Sequence, residues 1–384
     1  MTTIEWTKRP GTRGETWNPV AGCTILSPGC THCYAMRMAA RIEAINAAAG
    51  TATHYAGTTK PSKAGPVWTG KLAVAPDAIF LKPLRWRAPR TVFVNSMSDL
   101  FHEDVPDAVI DRAFAVMALT PNHTYQILTK RSARMRAYIS GFECDGARRF
   151  NVADAAGRMM EDGDNACDEV SNCRWPLPNV WLGVSAERQQ EADERVPDLL
   201  ATPAAIRFVS AEPLLGEIDF SRVGTLESIR AALPEVARRC ERETRPNVVS
   251  GMQIDALGGP HQATIFHQTP NHMGGFAITF PRPFPRLDQI IVGGESGPVA
   301  RPMHPAWARH IRDDCQASGA AFFFKQWGAH RPLTLAEHGQ ACGATLIGDD
   351  PHDRDAYVLR VGKANAGRLL DGAEHNEWPK VRVS

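Results

Sequence analysis

Short apolar runs recur along the chain, each closing on polar residues or glycine: "TVFVNSMSDLF", "TYQILTKRS", "NVWLGVSAE", "AIRFVSAEPLLG", "QIIVGGESG" and "AAFFFKQWG". Runs of this length, rich in Val, Ile and Phe and bounded by turn residues, predict buried strands. Between several of them the apolar positions take up helical spacing, as in "VPDAVIDRAFAVMAL" from Val105 to Leu119, Gln189 to Leu200, and "PAWARHIRDDCQAS" from Pro305 to Ser318. Near-continuous apolar strands separated by helices predict a parallel sheet covered on both faces and joined by right-handed crossovers. With "ETWNPVAG" as first strand there are about six or seven β/α units, so the expected class is α/β, a complete or partial (β/α) barrel. A doubly wound open sheet is the competing architecture.

Two stretches break the alternation. One, at about 141-178, carries Cys144, Cys167 and Cys173; the other, at about 220-287, holds the helical pattern "LESIRAALPEVARRCERE" and then a Gly/His/Pro-rich loop. The strand pattern resumes after each, so both read as insertions in a barrel spanning 1-330, with 331-384 as a small β-rich or irregular C-terminal appendage. There is no internal repeat and no low-complexity tract.

Composition narrows the setting more than the chemistry. Hydrophobic residues make up 43% and charged residues 22%, and no apolar run approaches the roughly 20 residues that span a bilayer, so a soluble protein with no membrane association is expected. The start "MTTIEWTKRPGTRGETWNP" has no apolar signal core, which points to the cytoplasm. Nine cysteines in a reducing compartment favour metal binding or chemistry over disulfides. The net charge of +1 gives no global basic field, although it leaves room for a local basic groove.

Cys23, Cys30 and Cys33 form C-x6-C-x2-C inside "WNPVAGCTILSPGCTHCYAMRMAARIEA", which runs into a helix. Gly22, Pro28 and Gly29 let the loop bend around a bulky ligand. Three thiolates on a [4Fe-4S] cluster leave one iron open to chelate a small molecule, where four would close it. A structural zinc site takes four protein ligands, and no second pair lies at a typical spacing; His32 as fourth ligand, in a knot that ties down the loop, is the rival reading, with free buried thiols a third.

C-x-aromatic-C before the first helix of a β/α barrel resembles the cluster loop of radical S-adenosylmethionine (SAM) enzymes, with six residues here in place of the usual three in the first spacing. More closely, "TWNPVAGCTILSPGCTHCYA", "VFVNSMSDLFHEDVP", "ILTKR", "VWLGVSAE", "RFVSAEPLLG", "IIVGGESG", "FFFKQWG" and "GRLLDG" together resemble a phage and prophage family of three-cysteine-motif proteins described as radical-SAM-like. The resemblance covers most of the chain outside the two insertions. It implies a barrel of radical SAM type, a [4Fe-4S] cluster on Cys23, Cys30 and Cys33, SAM as cosubstrate, and an external electron donor. It also implies a nucleotide or nucleic acid as substrate.

The strand ends supply candidate residues. "NSMSDLF" stands where radical SAM enzymes carry a polar motif for the SAM amino group, which makes Asn95, Ser96, Ser98 and Asp99 cofactor-binding candidates; a helix cap is the plainer role. Ser185 joins them from within "GVSAE". Glu187, Glu212 and Glu295 each follow a buried strand and are expected to converge on one mouth, as catalytic or substrate-binding carboxylates or as caps and salt-bridge partners. Lys130 is the catalytic cation candidate, and Arg131, Arg134, Arg136, Lys325, Gln326 and Trp327 offer cation, amide and stacking surface for phosphate or base, against the alternative of a solvated basic face. Cys144, Cys167 and Cys173 are a weaker candidate for a second metal, and Cys240, Cys315 and Cys342 read as packing residues. The competing function is a metal-stabilised nucleic-acid-binding module without catalysis.

Overall fold

The computed structural model describes residues 4–144, 146–244, 249–257, 262–269, 272–279, 285–333, 337, 342–348 and 356–380. Seven strands form one sheet: β1 (Arg13–Trp17), β2 (Arg90–Val94), β3 (Thr124–Thr129), β4 (Val180–Ser185), β5 (Ile206–Ala211), β6 (Gln289–Gly293) and β7 (Ala321–Gln326). Their hydrogen-bonded order follows the sequence without reversal, and the pairs β1·β2, β2·β3, β5·β6 and β6·β7 are parallel. A doubly wound sheet reverses its order at a switch point, and this one does not. All six apolar runs and the expected first strand are strands, and the unreversed parallel order is that of a partial β/α barrel.

A helix lies in every crossover: α1 (Tyr34–Ala48), α2 (Asp107–Ala118), α3 (Ser132–Cys144) with α4 (Ala147–Met159) and α5 (Gly163–Ser171), α6 (Gln189–Ala201), α7 (Leu226–Ala232) with α8 (Pro234–Thr244), and α9 (Pro305–Ser318). Local chemistry sets their ends. In α9, His304 Nδ1 accepts the Ala306 N–H, Pro305 occupies the first turn, and Gly319 follows at φ +74°, the left-handed position that ends helices. In α7, Thr225 and Ser228 form a reciprocal capping box. α2 buries Ile110, Ala113, Phe114 and Met117, the three- and four-residue spacing of one face.

The chain divides into two compact units, Met1–Gly183 with Thr202–Ile206, and Val184–Ala201 with Arg207–Ser384. In the first, alternation sorts the strands. Trp17, Val92, Val94, Tyr125 and Ile127 point to one side, where Trp17 meets Phe80 and Tyr125 edge-on at 5.8 Å and donates its indole N–H to the Phe80 carbonyl at 3.0 Å. On the other side Phe93 packs on Trp6, with ring centroids 4.5 Å apart. In the second unit, residues 375–377 run along the outer edge of β7: Phe324 donates its N–H to His375, and Glu377 to Phe322. Covering this edge hides a row of backbone groups that would otherwise template aggregation.

The insertions differ in kind. The first is helical, α3 to α5. The second follows α7 and α8 with a three-stranded antiparallel sheet of Val249–Ile254, Gln262–Thr269 and His272–Thr279, where the sequence suggested a loop. Glycines and histidines masked an alternation in which Ala263 and Ile265 are buried while Phe266 is exposed. The appendage contains the antiparallel strands His330–Pro332, Thr345–Ile347 and Ala356–Arg360. Among the described residues no helix is long and apolar enough to cross a membrane.

Trp17 is buried at the sheet–helix contact and spends its polar atom on a backbone carbonyl. Trp17→Ala should cost about 3–5 kcal/mol, read as a lower denaturant midpoint with an unchanged slope; a loss below about 1 kcal/mol would contradict this packing account.

Candidate functional site

The loop after β1 is fixed by backbone geometry before its first cysteine. Gly22 has φ +90°, and a Cβ there would stand 2.0 Å from the Lys71 carbonyl oxygen, so only glycine fits. Gly22 forms a parallel bridge with Ser98, whose hydroxyl donates to the Gly22 carbonyl at 2.6 Å. Pro28–Cys30 then make a 3-10 turn, and the Cys33 N–H reaches the Cys30 carbonyl at 3.2 Å. Cys33 is the N-cap of α1, at the positive end of the helix dipole. Cys30 is buried, Cys23 and Cys33 half-buried, and the last two pack against a small core that includes Ala35, Met36 and Trp68.

Burial pushes the Cys23 thiol up to about 12, with Asp99 and Cys30 adding to the rise and Arg131 opposing it. Burial also raises Cys33, with Cys30 adding, while the N–H groups of Ala35 and Met36 and the charge of Lys130 pull it down. Cys30 is thus the electrostatic neighbour of both others. A metal loading this loop has to displace protons from Cys23 and Cys33. Among the described residues no three His, Cys, Asp or Glu side chains are gathered as a group that could hold a metal ion. The thiolates of a cubane cluster bind separate irons, so they stand further apart than ligands crowded on one ion. The donor set of three neighbouring thiols in one glycine-bent loop fits a cluster in its chemistry.

Beside Cys23 lies a buried ionic network. Asp99 accepts from the Phe101 N–H (3.0 Å), the Thr129 hydroxyl (2.7 Å), the Lys130 N–H (3.1 Å) and Arg131 Nη1 (3.1 Å). Arg131, whose side chain is 3% exposed, also donates to Glu103 (2.7 Å), to Thr24 Oγ1 (2.6 Å) and, through Nη1, to Cys23 Sγ at 4.0 Å. His102 Nδ1 accepts the Asp104 N–H at 3.2 Å, which leaves Nε2 as the donor to Thr24 Oγ1 at 2.9 Å. Burial, reinforced by Arg131, holds His102 below its ordinary range and therefore neutral.

The sequence candidates in this unit meet different fates. Asp99 has four protein donors on its two oxygens, and the Ser98 hydroxyl is spent on Gly22. Ser96 donates to Asn18 Oδ1 at 3.1 Å and accepts the Tyr34 hydroxyl at its carbonyl at 2.8 Å. Asn95 stands in the left-handed region at φ +55°; its Oδ1 accepts the Val20 N–H at 3.3 Å, while its buried Nδ2 has no partner among the described residues. Arg131 is buried and not part of a solvated basic face, and Arg134 pairs with Asp107 at 3.0 Å. Cys167 and Cys173 are half-buried free thiols; the Cys144 side chain lies outside the described residues.

In the second unit each expected carboxylate has a basic partner. Glu187, fully buried, pairs with Arg195 at 3.1 Å, and Arg195 also donates to the Ser185 carbonyl at 2.8 Å. Glu295 takes a fork from Arg301 at 2.6 and 2.8 Å plus the Arg301 N–H at 2.7 Å. Glu212 pairs with Lys325 at 2.5 Å, and its carboxylate is the most exposed of the three, at 19% against 5% for Glu295 and none for Glu187. Gln326 donates to the Gly294 carbonyl and Trp327 is buried with its indole N–H on Leu369, so neither offers the free amide and stacking surface expected of them. Cys240 and Cys315 are buried as packing residues, whereas Cys342 is exposed.

Sequence reasoning missed Thr24, His102, Glu103, Arg195 and Arg301. Three of these left a trace. Asp99, His102 and Glu103 put three titratable groups within five positions after a strand. Arg195 shares the apolar helix face of Ala192, Val196 and Leu199, where a buried arginine needs a buried carboxylate.

The family described as "Protein of unknown function (DUF5131)" matches residues 1–379. No curated protein and no solved structure matches the chain.

Buried His102, His123 and His330 and half-buried His54 are all held below their ordinary value of 6.5, chiefly by burial. The unfolded chain therefore binds more protons than the native one as pH falls through 6.5, and stability is lost on that side. Burial raises Cys23, Cys33, Cys315 and Tyr55 above their ordinary values of 9.0 and 10.0, so above about 9 the unfolded chain loses protons first and stability falls again. Urea melts of the metal-free protein should show a plateau between about pH 7 and 9 with losses on both sides; stability still rising at pH 10 would contradict it.

Proposed function

We propose that the chain, which belongs to the DUF5131 family, is a radical-SAM-like enzyme with a barrel of radical SAM type, in which Cys23, Cys30 and Cys33 hold a [4Fe-4S] cluster with one iron open to SAM. The cysteine loop carries this reading: three neighbouring thiols after the first strand of a parallel β/α sheet, at the N-terminus of the first helix, with an anchored arginine on Cys23. When bound, such a cluster supplies the reductive cleavage of SAM to methionine and a 5'-deoxyadenosyl radical that takes hydrogen from a substrate.

The chain's own residues have definable parts in this. Arg131 presents a fixed N–H donor to Cys23, and charge-assisted donors of this kind stabilise thiolate over thiol. The helix N-terminus does the same for Cys33. Asn95 keeps an amide N–H donor available for a cofactor acceptor, where Ser98 and Asp99 are committed to holding the loops. Ser96 and Ser185 are further cofactor contacts of the proposal, and Lys130 is its cation near Cys33. Of the three glutamates, Glu212 has the most exposed carboxylate and is the one a polar substrate reaches at least desolvation cost. Glu187 and Glu295 serve to shape the strand ends. The substrate class is a nucleotide or nucleic acid, and an external carrier delivers the electron.

Anaerobic reconstitution should give iron uptake, iron–sulfur absorption that changes on adding SAM, and 5'-deoxyadenosine once a reductant is present. Cys23→Ser, Cys30→Ser and Cys33→Ser should each lose iron and product together, because each thiolate holds its own iron, while Cys315→Ala keeps both. Stoichiometric zinc with no iron uptake would instead support a non-catalytic metal-stabilised nucleic-acid-binding module. A reducible, SAM-binding cluster that yields no 5'-deoxyadenosine would end the radical assignment.

A further inference from the structure

The surface at the opening ends of β1 and β2 is basic. Lys82, Arg85, Arg87 and Arg90 fall within nine residues that contain no acid, in a chain whose total charge is +1. Strand register brings a fifth cation to them: Arg13 stands opposite Arg90 across the β1·β2 ladder, and its N–H donates to the Pro89 carbonyl at 3.1 Å. Half-buried Trp86 is the hub, with the Arg90 guanidinium carbon 4.7 Å and the Lys82 ammonium 5.9 Å from its ring centroid. Lys82–Arg85 form a 3-10 turn, in which positions three apart eclipse, so Arg85 projects from the same side as Lys82. Arg87 sits in the short link between Trp86 and Arg90.

The acids nearby are committed to other arginines. Glu15 takes Arg90 at 3.2 Å, and Asp77, on the short helix that packs against the 3-10 turn, takes Arg112 at 2.8 Å. Arg13, Lys82, Arg85 and Arg87 are all exposed, and none pairs with a carboxylate among the described residues. Four like charges gathered round one indole repel one another, and a polyanion relieves that repulsion.

We infer that this surface docks the phosphodiester backbone of a nucleic acid, without regard to sequence. Three of the four unpaired cations are arginines, whose planar forks match phosphate oxygens. A protein partner would need an apolar core to its interface, and between residues 77 and 90 the only large apolar side chain exposed among the described residues is Ile79, at 36%. Strong positive charge with little apolar area is the composition of nucleic-acid interfaces. The surface lies away from the cysteine loop: Arg13 and Arg90 open the strands whose other ends lead to Cys23 and Asp99, and Arg13 is about 13 Å from Trp17, four residues at about 3.3 Å each. It is a holding site for the nucleic acid of the substrate class proposed above, yet it stands on charge and packing and needs no cluster.

The full-length protein, with and without reconstituted iron, is titrated with a duplex and a single-stranded DNA oligonucleotide across a salt series. Both should bind, scrambling their sequence should change little, and log K for the duplex should fall against log salt with a slope of about −4, from four phosphate contacts. Arg85→Ala with Arg87→Ala, and separately Arg13→Ala with Lys82→Ala, alter exposed side chains only; each pair should flatten that slope by about two and raise Kd about tenfold. Arg37→Ala with Arg41→Ala removes equal charge from the exposed side of α1, at the cysteine end, and should change neither. Absence of DNA binding, an unchanged slope in both patch variants, or equal weakening in the α1 variant would overturn the inference. Binding to phosphatidylserine vesicles or to polyglutamate but not to DNA would do the same and assign the surface to a membrane or an acidic protein. Iron uptake enters none of these readouts: DNA binding here without iron uptake sinks the cluster reading alone, and iron uptake without DNA binding sinks the docking surface alone.

Discussion

The junction between Asp99 and Arg131 ties the first unit together at its chemical end. Asp99 follows β2, Arg131 follows β3, and Thr24 and Cys23 follow β1, so one buried ion pair and its hydrogen bonds link three consecutive strand-to-helix connections. Each lone pair of the carboxylate has a donor, and the guanidinium meets two carboxylates, a hydroxyl and a sulfur. Burying such a pair is costly, and removing one partner costs about 3–5 kcal/mol because it strands the other charge. The arrangement persists because it is fully satisfied. Its consequence is positional: the first cysteine of the trio stands against a cation that cannot swing away.

The second unit repeats the device with less at stake. Glu187 with Arg195, Glu295 with Arg301 and Glu212 with Lys325 each neutralise a carboxylate at or just beyond a strand end. Burial grades them. A carboxylate with no exposure and a fixed guanidinium braces a loop, whereas a pair with both partners partly exposed can exchange its partner for a ligand at modest cost. The same grading separates Asn95, with an uncommitted amide N–H, from Asp99 four residues later, whose acceptors are filled.

The fold was largely legible because its signal is repetitive. Six apolar runs and a first strand, most of them ended by polar residues and separated by helical patterns, leave few topologies once crossovers are right-handed, and the helix ends carry their caps in the sequence, as at His304, Pro305 and Gly319. The antiparallel sheet of the second insertion was not legible, since its glycines and histidines resemble a loop until the strands pair. At the site, residue types and places were readable but commitments were not. Nothing in "SMSDLF" tells that Asp99 answers to Arg131, thirty-two positions away, or that Ser98 holds Gly22. Long-range pairing decides whether a polar residue at a strand end is free for chemistry, and only the folded chain displays it.

The central claim is that three sulfurs hold an iron cluster and leave one iron to SAM. Mössbauer spectra of the reconstituted protein, with isotopically labelled iron and with and without SAM, address it most directly. One iron of the four should shift away from the other three when SAM is added. Four irons that stay equivalent, or a spectrum with no cluster iron at all, would contradict the account.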